Sequence, residues 1–335
     1  MLKENKPNIL WFCADQMRFD VINALGNKHI NTPRINALIN EGVALRNCYV
    51  QNQLCTPSRA SFLTGRYPAA HQVYRNGNAF FPKSEVLITK LLADAGYDCG
   101  LVGKLHLSSA SKFEKRPDDG YRFFEWCQNP SWEKVPNSNS YWRWLREKKN
   151  QDPISLFNKN KKYIKVGIHA EFHQLTWCTE TAISFINQKR EGPWMLSVNP
   201  FDPHPPFDPP PEFLKKYNPK NLPPPLFKKS DILRQQQFSN LRSQKLNLVN
   251  PVLDYNSKWK VKDNGDEGTG SRPPEHFDGL AIKAAYYAMI ENIDHQFGLV
   301  LDNLKTNNQI ENTIIIFTSD HGELLGDNSL LNKGD

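Results

Sequence analysis

The residues Asn8-Ile9-Leu10-Trp11-Phe12-Cys13-Ala14 form a short apolar run near the start of the chain. Further apolar runs occupy residues 97–103, 194–199 and 313–318, and helical patterns occupy residues 34–41, 85–95, 171–188 and 280–304. Runs that are apolar throughout are typical of parallel strands that are buried on both faces. Because such runs alternate with helices, the sequence predicts an α/β fold with a mostly parallel sheet flanked by helices.

The length of 335 residues is compatible with one large α/β domain or with two smaller ones. The stretch from residue 201 to residue 274 differs from the rest because it is rich in proline, lysine, asparagine and glutamine. We interpret it as a long excursion from the core rather than as a separate unit. We therefore predict one domain over residues 1–335 that contains this excursion.

The formal net charge of +7 arises from 42 basic and 35 acidic residues and favours anionic partners. No nucleic-acid-binding motif accompanies the charge, so we do not expect nucleic acid as a partner. No apolar segment resembles a membrane span or a signal region, so we expect no membrane association. The chain as written is therefore expected in the cytoplasm, or in the periplasm or outside the cell if a leader has been removed.

Polar residues with useful chemistry follow each of the four predicted strands. They are Asp15 and Gln16, Lys104 and His106, Asp202 and His204, and Asp320 and His321. Ligands of open α/β sheets bind just beyond the carboxyl ends of the strands. We therefore expect these side chains to meet at one edge of the sheet.

Three of these residues, Asp15, Asp320 and His321, could form a metal site. Carboxylate oxygens suit a hard divalent cation such as Ca²⁺, whereas the softer imidazole of His321 also admits Mn²⁺. A lone Asp-His pair is usually an acidic turn. Here the pair closes a β-branched strand and is followed by Gly322-Glu323, which favours a ligand role.

Two lysines and two histidines are candidates for contact with an anionic substrate. Lys104 and Lys333 could bind anionic oxygens, and His106 and His204 could transfer protons near neutral pH. The prolines around His204 would stiffen its loop, although it could also be an ordinary turn histidine.

The segment Cys55-Thr56-Pro57-Ser58-Arg59 is followed by Leu63-Thr64-Gly65-Arg66. Since proline favours the first helical position, we expect Thr56 to cap a helix and Cys55 to lie just outside it. The free amides of that helix end and the fork of Arg59 would attract a tetrahedral anion. Together they favour covalent chemistry on a sulfate or phosphate, although a lone cysteine is more often a packing residue.

These motifs resemble those of the type I, formylglycine-dependent sulfatases of the alkaline-phosphatase-like superfamily. The resemblance covers the Cys55–Arg66 signature, Gly103-Lys104-Leu105-His106-Leu107, Pro203-His204-x-Pro206-Phe207, and Ser319-Asp320-His321-Gly322-Glu323 with the distal Lys333. It implies an alkaline-phosphatase-like fold and a hydrolase acting on aryl or carbohydrate sulfate monoesters. Residues 1–335 would be the N-terminal catalytic domain.

The resemblance also implies roles for individual residues. A maturation enzyme would oxidise Cys55 to formylglycine (3-oxoalanine), whose hydrated aldehyde attacks the sulfur. The implied metal ligands are Asp15, Asp320, His321 and the modified Cys55, with Gln16 as a further candidate. Arg59, Lys104 and Lys333 would stabilise the sulfate oxygens, His204 would protonate the leaving oxygen, and His106 would assist the release of sulfate.

Two departures from the sulfatase pattern leave alternatives open. Many sulfatases have Asp-Asp where this chain has Asp15-Gln16, and the Asp-Gln version resembles choline sulfatases and phosphonate monoester hydrolases. In that branch an asparagine like Asn76 faces the substrate, so a phosphonate monoester or phosphodiester hydrolase is the alternative function.

The second departure concerns length. The family continues past the distal lysine into a C-terminal subdomain, whereas this chain ends two residues after Lys333. We therefore expect a C-terminally truncated chain without that subdomain. An inactive fragment that binds anions is the alternative of another class.

Overall fold

A parallel sheet of five strands runs through the part of the chain that the computed structural model describes, which is residues 6–78, 80–109, 114, 118–157, 163–237 and 277–333. The strands are β1 (Asn8–Ala14), β2 (Asp98–Gly103), β3 (Tyr121–Trp126), β4 (Trp194–Asn199) and β5 (Thr313–Ser319). Their order is β3-β2-β4-β1-β5, and each pairing is parallel. The predicted α/β fold with a mostly parallel sheet is confirmed.

The four strands predicted from apolar runs are all present, and two of them have the predicted bounds. In the register of the sheet, Leu10 lies between Leu196 of β4 and Ile315 of β5. Leu10 and Leu196 are fully buried. Such central strands lose both faces to the core, which explains their unbroken apolar sequence.

Strand β3 was not predicted because it is not an apolar run. It lies at the edge of the sheet and pairs only with β2 among the described strands. Arg122 of this strand is exposed, and Glu125 is half-buried. The exposed positions of an edge strand accept charged residues, so hydropathy alone hides the strand.

Helices connect the strands and flank the sheet. The α-helices are α1 (Pro33–Glu41), α2 (Cys55–Thr64), α3 (Pro68–His71), α4 (Ile88–Asp94), α5 (Ser140–Lys149), α6 (Pro153–Phe157), α7 (Gln174–Ile186), α8 (Pro211–Leu214), α9 (Lys229–Gln237) and α10 (Gly279–Thr306). Short 3₁₀ helices occupy Phe19–Val21, Asn23–Leu25, Ala170–Phe172, Pro219–Asn221, Ile310–Asn312 and Asp327–Ser329. The four predicted helices thus form within one to three residues of their predicted bounds.

One face of the sheet packs against α7 and the long helix α10, and α1 packs against α10. The ring of Phe12 lies 5.2 Å from that of Phe297 in α10 and 5.5 Å from that of Phe317 in β5. Helix α7 approaches β2 closely at Gly100, where an added Cβ would lie 2.8 Å from Cε2 of Phe185. This close fit fixes α7 over the centre of the sheet.

The other face of the sheet packs against α2. Ala60 and Leu63 of this helix share a buried cluster with Leu101 of β2, and Phe62 packs against Trp11 with ring centroids 5.2 Å apart. Helix α2 is therefore anchored to the sheet along its length.

The start of α2 differs from the prediction. The helix begins at Cys55, Leu54 is the N-cap, and the predicted cap by Thr56 is wrong. The first intrahelical bond runs from the Ser58 amide to the Leu54 carbonyl, at 3.0 Å. Pro57 is the third residue of the helix and lies before the first amide that donates within it. Its missing N–H therefore removes no helical hydrogen bond.

The predicted excursion over residues 201–274 falls partly on residues 238–276, which lie outside the described residues. Its described part contains the short helices α8 and α9. The single domain over residues 1–335 stays a prediction. Among the described helices, none combines the length and the apolar character that crossing a membrane requires.

The N-terminus of α7 makes stability depend on pH. His173 caps this helix, because its Nδ1 accepts a hydrogen bond from the Leu175 amide at 3.3 Å. Burial lowers the pKa of His173 to about 4, although Glu212 acts in the opposite direction. An unfolded histidine has a pKa of about 6.5. Between these values the unfolded chain binds a proton that the folded chain excludes, so stability falls as the pH drops through this window.

We expect His173 to contribute a loss of up to ~3 kcal/mol in the free energy of unfolding between about pH 7 and about pH 4. Urea denaturation of the wild type and of His173→Asn measures this loss, since asparagine keeps a capping acceptor without a titrating proton. The exposed His29 provides the control His29→Asn. An equal pH dependence in wild type and His173→Asn would contradict the prediction.

Candidate active site

The carboxyl edge of the sheet brings together side chains from four strand ends, from α2 and from the last described loop. They are Asp15, Gln16, Lys104, His106, His204, Asp320, His321, Cys55, Arg59 and Lys333. All of them are buried except Lys333, which is half-buried. The convergence expected from the strand endings is therefore observed for these side chains but not for Asp202, whose carboxyl lies 3.8 Å from Nε2 of His173.

Four of these residues form a group that could hold a metal ion. One ligand atom from each of Asp15, Cys55, Asp320 and His321 lies within 4.8 Å of the other three. Cys55 Sγ lies 3.1 Å from Nε2 of His321 and 3.7 Å from Oδ1 of Asp15. His321 Nδ1 lies 2.9 Å from the carbonyl oxygen of Gly322, so it carries the proton and leaves the Nε2 lone pair facing the group.

This donor set fits a divalent cation. Asp15 and Asp320 are fully buried carboxylates, and buried charges require partners of opposite sign. Two carboxylates and an imidazole nitrogen around one point are a common ligand set for hard and intermediate divalent ions. The side chain of Cys55, at the first position of α2, faces the same point.

Arg59 lies behind the cluster and is only 1% exposed. Its Nε donates to Oδ2 of Asp320 at 2.9 Å, and its Nη1 donates to the carbonyl of Lys104 at 3.0 Å. Its Nη2 lies 3.8 Å from Oδ1 of Asp15 and has no hydrogen-bond partner in the described chain. Arg59 thus ties α2 to β2 and β5, and Nη2 alone is left for the predicted contact with an anion.

Two lysines lie next to the sulfur of Cys55 and the carboxylate of Asp15. Lys104 Nζ forms an ion pair with Asp15, and Lys333 Nζ lies 2.7 Å from Cys55 Sγ. Burial alone would raise the pKa of Asp15, but the neighbouring cations, led by Lys104, hold it well below its usual range. Burial also favours the neutral thiol of Cys55, yet Lys104 and Lys333 outweigh it and lower the pKa. The position of Cys55 therefore favours a negatively charged group.

The two candidate proton-transfer histidines border the same space. Nδ1 of His204 lies 2.7 Å from the carbonyl of Pro205, and its ring packs 4.6 Å from that of Phe201. Burial and the nearby Lys333 hold the pKa of His204 well below its usual range. Burial and Lys104 have the same effect on the pKa of His106. Both environments therefore favour the neutral form of the imidazole.

His106 is fixed by a buried carboxylate that the sequence did not reveal as part of the site. His106 has a left-handed backbone, with φ of 59°. Glu114 accepts hydrogen bonds from the amides of His106 at 2.6 Å and Leu107 at 2.5 Å, and from Nε1 of Trp126 at 3.3 Å. Glu114 lies in a polar stretch without a motif, so no sequence signal identified it.

Asn76 and Asp202 have structural contacts that the sequence did not predict. Asn76 is exposed, and its Oδ1 accepts a hydrogen bond from the Thr56 amide at 2.9 Å, which satisfies a free amide at the start of α2. The main chain of Asp202 accepts from the Asp15 amide at 3.1 Å, whereas its carboxyl lies 3.8 Å from Nε2 of His173. Asp202 therefore supports Asp15 through its backbone.

Three tryptophans, one in β3 and two in α5, are packed into the core. Trp126, Trp142 and Trp144 are buried, and Nε1 of Trp142 donates to the carbonyl of Pro130 at 2.8 Å. They anchor their segments to the core.

Comparison with known proteins agrees with the fold. The arylsulfatase of Clostridium perfringens is 29% identical over 341 residues, which cover 98% of this chain and 66% of that protein. The N-acetylglucosamine-6-O-sulfatase of Bacteroides thetaiotaomicron is 25% identical and is matched over 98% of this chain and 60% of its own length. The crystal structure of a phosphonate monoester hydrolase from Agrobacterium radiobacter has the same fold, with a TM-score of 0.75 and 24% identity over 98% of this chain and 65% of that one.

The chain thus spans about three fifths to two thirds of the length of these relatives. A family model described as Sulfatase matches residues 7–335, which is nearly the whole chain. The protein belongs to the sulfatase family.

Proposed function

We propose that this chain hydrolyses sulfate monoesters, with formylglycine at position 55 and a divalent cation bound beside it. The observation that carries the proposal is the position of Cys55 Sγ, which lies between a group of buried metal-type ligands and the ammonium of Lys333. A packing cysteine would be surrounded by apolar atoms. Membership of the sulfatase family supports the same reaction class.

Maturation would change the chemistry of position 55. Conversion of the thiol to an aldehyde takes up one water, releases hydrogen sulfide and two protons, and passes two electrons to dioxygen through a maturation enzyme. Hydration of the aldehyde then provides a hydroxyl nucleophile. A second hydroxyl on the same carbon allows sulfate to leave by cleavage of a carbon–oxygen bond, which a serine or cysteine ester could not do.

Asp15, Asp320, His321 and the matured position 55 would hold the cation. Their oxygen-rich character favours Ca²⁺, and the imidazole also admits Mn²⁺. When bound, such an ion lowers the pKa of a coordinated hydroxyl and neutralises negative charge on the substrate. Gln16 is a further candidate ligand, since it follows Asp15 in the chain and its buried side chain contacts Lys333, which also lies 2.7 Å from Cys55 Sγ.

The remaining side chains would bind the sulfate and move protons. Lys104 and Lys333 would stabilise the sulfate oxygens, and so would Nη2 of Arg59. A bound sulfate ester adds negative charge beside His204 and raises its pKa, which enables it to protonate the leaving alcohol. His106 would accept a proton as sulfate is released.

The charge balance of the cluster supports an anionic substrate. Lys104, Lys333 and Arg59 face two carboxylates, Asp15 and Asp320, so a bound divalent ion would leave an excess of positive charge. A sulfated carbohydrate is one substrate class, in keeping with the name of the Bacteroides relative. Phosphonate monoesters or phosphodiesters form the second candidate class, favoured by Gln16 in place of a second aspartate.

The first test is the turnover of an aryl sulfate by the matured protein and by Cys55→Ala. We expect at least about a thousandfold loss of kcat in the variant, because the nucleophile is removed. The buried Cys13 lies in β1, and Cys13→Ala serves as the control. Full turnover by Cys55→Ala would overturn the proposal. Assay of an aryl phosphodiester with the same preparation ranks the two substrate classes, and faster turnover of the phosphodiester would favour the second candidate.

The acid role of His204 predicts a dependence on the leaving group. In His204→Asn we expect a loss of about a hundredfold or more for an alkyl sulfate, because a poor leaving group needs the proton. The loss for 4-nitrophenyl sulfate should be much smaller. His169→Asn, at an exposed histidine, should leave both rates unchanged. Equal losses for the two substrates would contradict the acid role.

A further inference from the structure

Gln16 has a buried carboxamide side chain and a main chain that is fixed by hydrogen bonds. Gln16 is fully buried and has a left-handed φ of 71°. The main-chain amide of Gln16 donates to Oδ1 of Asp320 at 2.9 Å, and its main-chain carbonyl accepts from the hydroxyl of Tyr286 at 2.6 Å. With the backbone held at both ends, the orientation of the terminal amide group is the main freedom that remains.

That orientation is set by hydrogen-bond acceptors on the Nε2 side of the side-chain amide and by a hydrogen-bond donor on the Oε1 side. Nε2 of Gln16 donates to a carboxylate oxygen of Glu323, and to Oδ1 of Asn332 at 2.9 Å. Oε1 accepts from Lys333 Nζ at 2.5 Å. A reversed amide would place its oxygen against the carboxylate of Glu323 and its NH₂ group against the ammonium of Lys333. Both contacts would be repulsive.

Glu323 is itself held rigidly. It is 5% exposed, and its second carboxylate oxygen accepts from the amides of Leu325, at 3.1 Å, and Asn332. These amides belong to the segment that leads to Lys333. One carboxylate therefore connects the Gln16 side chain with the loop that carries the lysine.

We propose that Glu323 is a positioning residue that turns the carboxamide oxygen of Gln16 toward the cation. The inference rests on the proposed function, because it assumes that a divalent ion binds beside Asp15 and Asp320. A hard cation is bound by an amide oxygen and not by an amide NH₂ group. The orientation of Gln16 thus decides whether it supports the ion or opposes it.

The test is the affinity for Ca²⁺, measured by isothermal titration calorimetry on protein produced without maturation, so that turnover plays no part. Glu323→Gln keeps the shape of the side chain. Its oxygen would satisfy the amides of Leu325 and Asn332, and its NH₂ group would then face Gln16 and favour the reversed amide. We expect an affinity loss of about tenfold or more, the usual size of such outer contacts.

A matched control is Glu85→Gln, at a buried glutamate that pairs with Arg66 away from the cluster. It should leave the affinity unchanged. Wild-type affinity in a folded Glu323→Gln protein would overturn the proposal. If the unsubstituted protein binds no Ca²⁺, the calcium site of the proposed function fails, and the role of Glu323 fails with it.

A double-mutant cycle separates positioning from a general structural effect. In a Gln16→Ala background, Glu323→Gln should change the affinity by less than about twofold, since the group it orients is gone. An undiminished loss in that background would overturn the proposal, because Glu323 would then act by another route.

A second variant covers the case in which Glu323→Gln fails to fold. Asn332→Gly removes the other acceptor of Gln16 Nε2, and glycine suits the left-handed φ of 67° at this position. We expect a smaller loss of Ca²⁺ affinity in the same direction. Unchanged affinity in Asn332→Gly would count against the proposal.

Discussion

The buried carboxylate of Asp15 is the charge on which the arrangement of the site depends. Removal of such an ion from water costs several kcal/mol, so it needs close partners of opposite sign. Lys104 provides one, from the end of β2, and Arg59 lies 3.8 Å away on α2. Since β4 separates β1 from β2 in the sheet, this pairing spans three strands. The same charges that stabilise the carboxylate also prepare a space for an anion.

Helix α2 connects the fold with the chemistry. Its apolar side is fixed against the sheet through Leu63 and Phe62, and its first residue, Cys55, thereby reaches the strand ends. Oγ of Ser58 donates to the carbonyl of Asp320 at 2.5 Å and ties the first turn of the helix to β5. The sulfur is thus held in place by packing and hydrogen bonds at some distance from it. A rigid frame of this kind is what a preorganised site requires.

Much of this could be predicted from the sequence because buried parallel strands and their polar ends have a clear pattern. The bounds of β1 and β4 follow from hydropathy, and the strand endings identify Asp15, Lys104, His204 and Asp320. Hydropathy does not predict strand β3, because it lies at the edge of the sheet and its charged residues Arg122 and Glu125 interrupt the apolar pattern.

Other features depend on tertiary contacts that no local pattern records. The start of α2 at Cys55 was misplaced because proline is tolerated at any of the first helical positions. Glu114 and Glu323 were not recognised as parts of the site, since their roles arise from contacts with the amides of Leu107 and Leu325. Glu323 lies within the motif Ser319-Asp320-His321-Gly322-Glu323, and its proximity to His321 in the sequence is the one signal that could have identified it.

The central claim is that position 55 carries an aldehyde in the working protein, and mass spectrometry of one peptide tests it directly. Cleavage after Arg46 and Arg59 releases residues 47–59, which contain both Cys48 and Cys55. After production with a maturation enzyme and thiol alkylation, we predict one alkylated cysteine at position 48 and an unalkylated aldehyde at position 55, in which oxygen replaces sulfur and two hydrogens are lost. Alkylation of both cysteines, under conditions in which the same enzyme converts another sulfatase, would contradict the claim.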